Sequence, residues 1–110
     1  MLDIRLYLLQ RITALLMVPF VVVHIAVMIY AVQDGLSAGE ILSRTKGSVF
    51  WLLFYGGFVL AASIHSAIGM RTIIFEWLGI KGLWLTGISL FIAVFLLYLG
   101  MQAVLSVTQL

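Results

Sequence analysis

Three uninterrupted runs without a single charged residue divide this 110-residue chain. They cover positions 12–33, 47–70 and 82–110, and hold 22, 24 and 29 residues. A bilayer hydrocarbon core is about 30 Å thick and takes roughly 20 apolar residues at 1.5 Å rise each. All three runs are long enough. Within lipid, a single segment satisfies its own backbone N–H and C=O groups only as a helix. The pattern therefore predicts an all-α, integral membrane three-helix bundle. The first run is longer than a signal-peptide h-region and no small-residue cleavage pattern follows it, so it is expected to remain a membrane helix.

Composition narrows the function classes. Only 9% of residues are charged and 65% are hydrophobic, against about 25% charged in a soluble domain. The ten charges are Asp3, Arg5, Arg11, Asp34, Glu40, Arg44, Lys46, Arg71, Glu76 and Lys81. They are too few to form a basic groove, so nucleic acid is excluded as a partner despite the net charge of +2. Cysteine is absent. That removes disulfides, thiolate metal sites, cysteine nucleophiles and cysteine-ligated iron–sulfur clusters from this chain.

A single transmembrane domain over 1–110 is expected, with helices at about 8–32, 48–77 and 84–107. In the first connector, Ser37-Ala38-Gly39-Glu40 reads as a capping box, with Ser37 as cap and Glu40 at N3. A short interfacial helical turn should run from there to about Arg44. Gly79 and Gly82 flank Lys81 in a tight turn before the third helix. Arg5, Arg11, Arg71 and Lys81 lie on one side of the membrane, and Arg44 and Lys46 on the other. Four against two places the N-terminus in the cytoplasm by the positive-inside rule. Trp51 then falls at the outer interface, and Trp77 and Trp84 at the inner one, as aromatic-belt residues.

So little material outside the lipid leaves nowhere to house catalysis on a water-soluble substrate, which points to a subunit of something larger. The third helix offers only Thr86, Ser89, Tyr98 and small residues such as Gly87 and Gly100, the usual means of helix packing. The first two helices each carry a histidine, His24 and His65, within apolar runs. An ionisable side chain in a membrane helix is costly and by default marks function. The bland alternative is a neutral imidazole bonded to a carbonyl or to a nearby serine such as Ser63 or Ser66. Around His65, Ala61, Ala62 and Gly69 form a stripe of small residues one turn to either side. Such a stripe admits either a flat macrocycle such as a porphyrin or a second helix.

Depth separates the two imidazoles. His24 lies 13 residues after Arg11, hence ~20 Å from the inner boundary, and His65 six residues before Arg71, hence ~9 Å from it. A difference near 10 Å, allowing for tilt, is too large for two ligands of one iron, whose bonds to nitrogen are about 2.0–2.1 Å. Each histidine would need a partner from another chain. At the inner end, Gln10, Arg11 and Thr13 open the first helix, and Arg71, Glu76 and Trp77 close the second. Guanidinium, hydroxyl, carboxylate and indole N–H together can hydrogen-bond a carbonyl headgroup. The same residues also suit plain snorkelling at the interface.

Two motifs carry a resemblance to a known family. Arg11-Ile12-Thr13-Ala14 near the start of the first helix, and His65-Ser66-Ala67-Ile68-Gly69-Met70 in the second, resemble elements of the membrane-anchor subunits of succinate dehydrogenase, the succinate:quinone oxidoreductase of complex II. The match is closest to the D-type small cytochrome b subunit and extends over the chain in length and helix count. The resemblance implies half of a heterodimeric heme-binding anchor, with His65 an axial ligand of heme b shared with a second membrane-anchor subunit. It implies Arg71 near a heme propionate or the quinone pocket. It also implies a quinone site at the cytoplasmic end, involving Arg11, Thr13, Glu76 and Trp77, next to an iron–sulfur subunit. A flavoprotein subunit would carry the succinate chemistry, so no succinate-binding residue is expected here.

Many relatives place an Asp-Tyr pair eleven and twelve residues after the heme histidine, where this chain has Glu76 and Trp77. Glu keeps the carboxylate. Trp keeps a donor but loses the phenol's acidity and acceptor capacity. His24 departs from the single-heme members. Some diheme relatives have a first-helix histidine, so His24 is a candidate ligand for the iron of a second heme. The implied location is a bacterial inner (cytoplasmic) membrane, with lipid around the helices. The rival readings are a heme-free structural anchor and a proton-conducting subunit that uses His24, His65 and Glu76.

Overall fold

The computed structural model describes residues 4–108. These are helical almost throughout and contain no strand. Helix α1 spans Ile4–Asp34, α2 Ala38–Thr45, α3 Val49–Ile73 and α4 Leu83–Thr108, and a π-helical turn at Ile74–Leu78 continues α3. Three of these helices are long and apolar enough to cross a membrane. The bundle is 48 Å long and 23 Å by 22 Å across, which suits a bilayer of about 40–45 Å with its headgroups.

The first helix begins earlier than the expected position of about 8 and so includes Arg5 as well as Arg11. Long basic side chains reach the interface from within a helix, so a charge does not have to end one. Pro19 lies inside α1. It removes one backbone donor, a loss that membrane helices tolerate where neighbouring groups compensate. Ser37 caps α2 as expected: its hydroxyl accepts from the Glu40 N–H at 3.2 Å and donates to the Glu40 carboxylate at 2.6 Å. Ser48 caps α3 in the same way, accepting from the Trp51 N–H.

Helix α2 is a strap across one end of the bundle. The Arg44 guanidinium donates to Asp34 at 2.7 Å and to the Gly35 carbonyl at 2.8 Å, and it lies over the Tyr30 ring. On the other side, the Thr45 hydroxyl donates to the Val107 carbonyl and the Gly47 N–H to that of Thr108. The short helix thus ties the end of α1 to the end of α4. At the opposite end the π-turn stops at Gly79, whose φ of +70° an L side chain rarely adopts.

Helix α3 is the middle of the bundle, packed on α1 along one face and on α4 along another. The α1 register follows from side-chain neighbours. Gln10 lies against Gly69, Thr13 against His65, Phe20 against Phe54 and Phe58, and His24 against Tyr55 and Phe58. From Gln10 to His24 along α1 the partners run back along α3 from Gly69 to the Phe54–Phe58 stretch, as in an antiparallel pair. On the α4 side, Gly56 faces Met101 and Gly100 faces Val59. Many other large apolar side chains on the three long helices are turned outward, including Leu15, Val22, Phe50, Leu53, Phe91 and Val94. In lipid those surfaces need no protein cover.

Candidate functional site

The seam between α1 and α3 brings together Gln10, Thr13, His65 and His24. Thr13 is buried to 3% exposure. Its hydroxyl lies 2.8 Å from the Leu9 carbonyl and 3.0 Å from the Gln10 carbonyl, on the preceding turn of its own helix. Across the seam the same oxygen is 3.3 Å from Nδ1 of His65. A hydroxyl has one proton and two lone pairs. With the proton directed to a backbone carbonyl, the oxygen meets the imidazole as an acceptor.

His65 is half-buried, and among the described residues Thr13 is its hydrogen-bond partner. Ser63 and Ser66, the local alternatives, make no hydrogen bond to it. Among the described residues its Nε2 has no hydrogen-bond partner. Gly69, part of the small-residue stripe, is occupied within the chain itself: a Cβ there would lie 3.6 Å from the Gln10 amide nitrogen. At Gly69 the stripe meets α1. The Gln10 Oε1 is buried with no hydrogen-bond partner among the described residues, an unusual state for an amide oxygen.

His24 has different surroundings. Its ring packs edge-on against Tyr55 and Phe58, with centroids 6.0 and 5.5 Å away. It belongs to an aromatic cluster that also includes Phe20, Trp51 and Phe54. No hydrogen bond reaches it among the described residues. It lines an apolar groove of about 980 Å³ walled by α1 and α4, floored by α3 and closed at one end by α2. Tyr30, Arg44, Tyr55, Phe58 and Val104 share that lining.

The two imidazoles lie at different levels along the bundle. Thr13 marks the level of His65 on α1, and His24 is eleven residues further along, or ~16 Å at 1.5 Å per residue. The sequence estimate is smaller because it takes Arg11 and Arg71 as one boundary. The register pairs Gln10 with Gly69, so Arg71 lies beyond the level of Arg11. The two imidazoles are separate sites.

The inner-end residues are more dispersed. Arg11 is exposed and donates to the Tyr7 hydroxyl at 3.2 Å, with its guanidinium 5.7 Å from that ring's centroid. Among the described residues no hydrogen bond or ion pair joins it to Glu76 or Trp77, and Arg71 is paired with neither. Glu76 and Trp77 lie in the π-turn, and Trp77 is 82% exposed. A π-turn is wider than an α-turn and advances less per residue around the axis. Glu76 is therefore rotated from the His65 face that regular α-helix geometry assigns to it. No sequence signal marks this turn, and such turns occur often at functional sites. The described residues contain no group of three or more His, Cys, Asp or Glu side chains able to hold a metal ion by themselves. An iron held through one imidazole would need its porphyrin and a second ligand from outside this chain.

Three membrane-crossing helices, with one imidazole braced across a helix seam and another on an apolar groove, define a multi-pass membrane subunit. The chain belongs to the succinate dehydrogenase/fumarate reductase transmembrane subunit family, whose model matches residues 2–101. No curated protein and no solved structure matches it.

Proposed function

We propose that this chain is the D-type anchor of a succinate:quinone oxidoreductase, supplying His65 as one axial ligand of heme b and part of a quinone site. The observation that carries the reading is the state of His65. It is an imidazole within a membrane-length helix, with Nδ1 engaged by Thr13 and Nε2 without a partner among the described residues. That donor set fits a b-type heme. Metal-bound histidines almost always give their second N–H to an oxygen acceptor, and heme b takes neutral imidazoles as axial ligands. The heme would supply a one-electron carrier within the membrane. The sixth ligand would come from the second membrane-anchor subunit, since His24 is too far away.

Flavoprotein and iron–sulfur subunits would dock at the end that carries the π-turn and perform the succinate or fumarate chemistry. Arg11, Arg71, Glu76 and Trp77 lie at that end and offer guanidinium and indole donors for a quinone carbonyl and a carboxylate for its proton. Thr13, already committed to His65, serves the imidazole in this reading. The N-terminus is cytoplasmic, in a bacterial inner membrane. Purification through a tag on this chain should bring down a flavoprotein, an iron–sulfur subunit and a second hydrophobic anchor. Recovery of the chain without them contradicts the reading. In the complex, Trp77→Leu is expected to raise the KM for quinone several-fold with heme content unchanged, as measured by steady-state quinone reduction.

The groove at His24 supports a second heme at the other end of the bundle. Its volume of about 980 Å³ lies at the top of the range for cofactor pockets, about 300–1,000 Å³. On this reading the intact complex contains two b-hemes and His24→Ala leaves one, counted by pyridine hemochrome assay against flavin. An unchanged count would make His24 a packing residue of the aromatic cluster.

A further inference from the structure

The chain presents His65 to its ligand through a second residue, and that residue is on another helix. We propose that Thr13 is a positioning residue for His65: its buried hydroxyl accepts the Nδ1–H, holds one imidazole tautomer and sets the donor strength of Nε2. The inference rests on the heme reading above and adds a role that the resemblance does not assign.

Three features support it. First, the Thr13 proton has nearer acceptors than His65: the carbonyls of Leu9 and Gln10 at 2.8 and 3.0 Å, against 3.3 Å to Nδ1. The shorter contacts take the proton and leave a lone pair facing the ring. Second, Thr13 is 3% exposed, so water cannot replace it as the partner of Nδ1. Third, the reverse arrangement, with Thr13 donating to Nδ1, would put the imidazole proton on Nε2 and leave no lone pair there for a metal. Only the Nδ1–H tautomer leaves Nε2 able to ligate.

A hydroxyl that donates to a carbonyl is polarised into a better acceptor. Hydrogen bonding of the remote N–H then raises the basicity of the ligating nitrogen. A more basic imidazole favours ferric over ferrous iron, so Thr13 should hold the heme potential down. The hydroxyl comes from α1 and the ligand from α3. Ring orientation therefore depends on the packing of those two helices.

The test uses the complete complex purified from membranes, with Thr13→Val and Thr13→Ser compared to the unsubstituted protein. Valine keeps the shape and removes the acceptor, whereas serine retains it. Expected results are a b-heme still bound in Thr13→Val, with its midpoint potential shifted upward and its low-spin EPR signal displaced. Thr13→Ser should keep the original potential and signal. If Thr13→Val does not assemble, Thr13→Ala makes the same removal with a smaller side chain and carries the same expectation. Equal potentials in all of these proteins overturn the role of Thr13, as does a shift in Thr13→Ser as large as that in the valine or alanine variant. Failure of the heme reading has a different signature: His65→Ala would retain the full heme complement, whatever the Thr13 variants do.

Discussion

Replacing His65 by alanine should abolish the heme that this chain ligates, with the b-type absorbance band of that heme missing from the reduced-minus-oxidised spectrum of the purified complex. The effect is expected to be all-or-none because nothing nearby can take over the ligand role. Ser63 and Ser66 are the closest polar neighbours in sequence, and a hydroxyl is a poor ligand for heme iron beside an imidazole. His24 is ~16 Å away along the bundle. Structural damage should be small: His65 is half-buried, and its loss leaves Thr13 still bonded to its own backbone. A complex that assembles and lacks the band is therefore the expected product. Ser66→Ala is the matching control and should retain it. Full heme content in His65→Ala would refute the axial assignment.

The second large effect concerns assembly. A Cβ placed on Gly100 would overlap the Val59 side chain across the α3–α4 contact. Valine in a helix is confined almost entirely to one rotamer, so Val59 cannot swing aside and the helices must separate. Overpacking of this kind costs about 1–3 kcal/mol where a structure adapts, and Gly100→Leu should exceed what this contact can absorb. The expected outcome is a steep fall in the amount of complex recovered from detergent, together with a lower Tm for what remains. Gly87, on the same helix, is a built-in comparison, because no atom lies within 4 Å of the position its Cβ would take. Gly87→Ala should leave yield and Tm unchanged. Equal tolerance at both positions would contradict the α3–α4 packing described here.

These two glycines illustrate what was legible in the sequence. Both read as packing residues of the third span, and nothing in the chain distinguishes the one that meets a neighbour from the one that faces open space. The spans themselves were plain, because ten charges spaced around three apolar runs leave lipid as their only compatible surroundings. The cap at Ser37 was equally plain, since a capping box is local chemistry within four residues. Facing and register were not. A helix that is apolar all round has no amphipathic stripe to show which side meets a neighbour, and each long helix here is of that kind.

The consequence is clearest at the candidate site. His65 and His24 stood out as isolated imidazoles in apolar runs, and their separation in depth followed from counting residues. That Thr13 meets His65 could not be counted, because the two are 52 residues apart in sequence and only the α1–α3 register joins them. The aromatic cluster around His24 and the groove beside it depend on the same register. The π-turn at Ile74–Leu78 replaces regular helix where periodicity expects it to continue, and so turns Glu76 from the position that eleven regular α-helical residues after His65 would give it.

The measurement that bears most directly on the account is the reduced-minus-oxidised absorbance spectrum of the intact complex purified through this chain. A b-type heme band, in a preparation that also contains the flavoprotein and iron–sulfur subunits, is the predicted result. The same assembled subunits with no heme band would contradict it and leave the chain as a heme-free anchor.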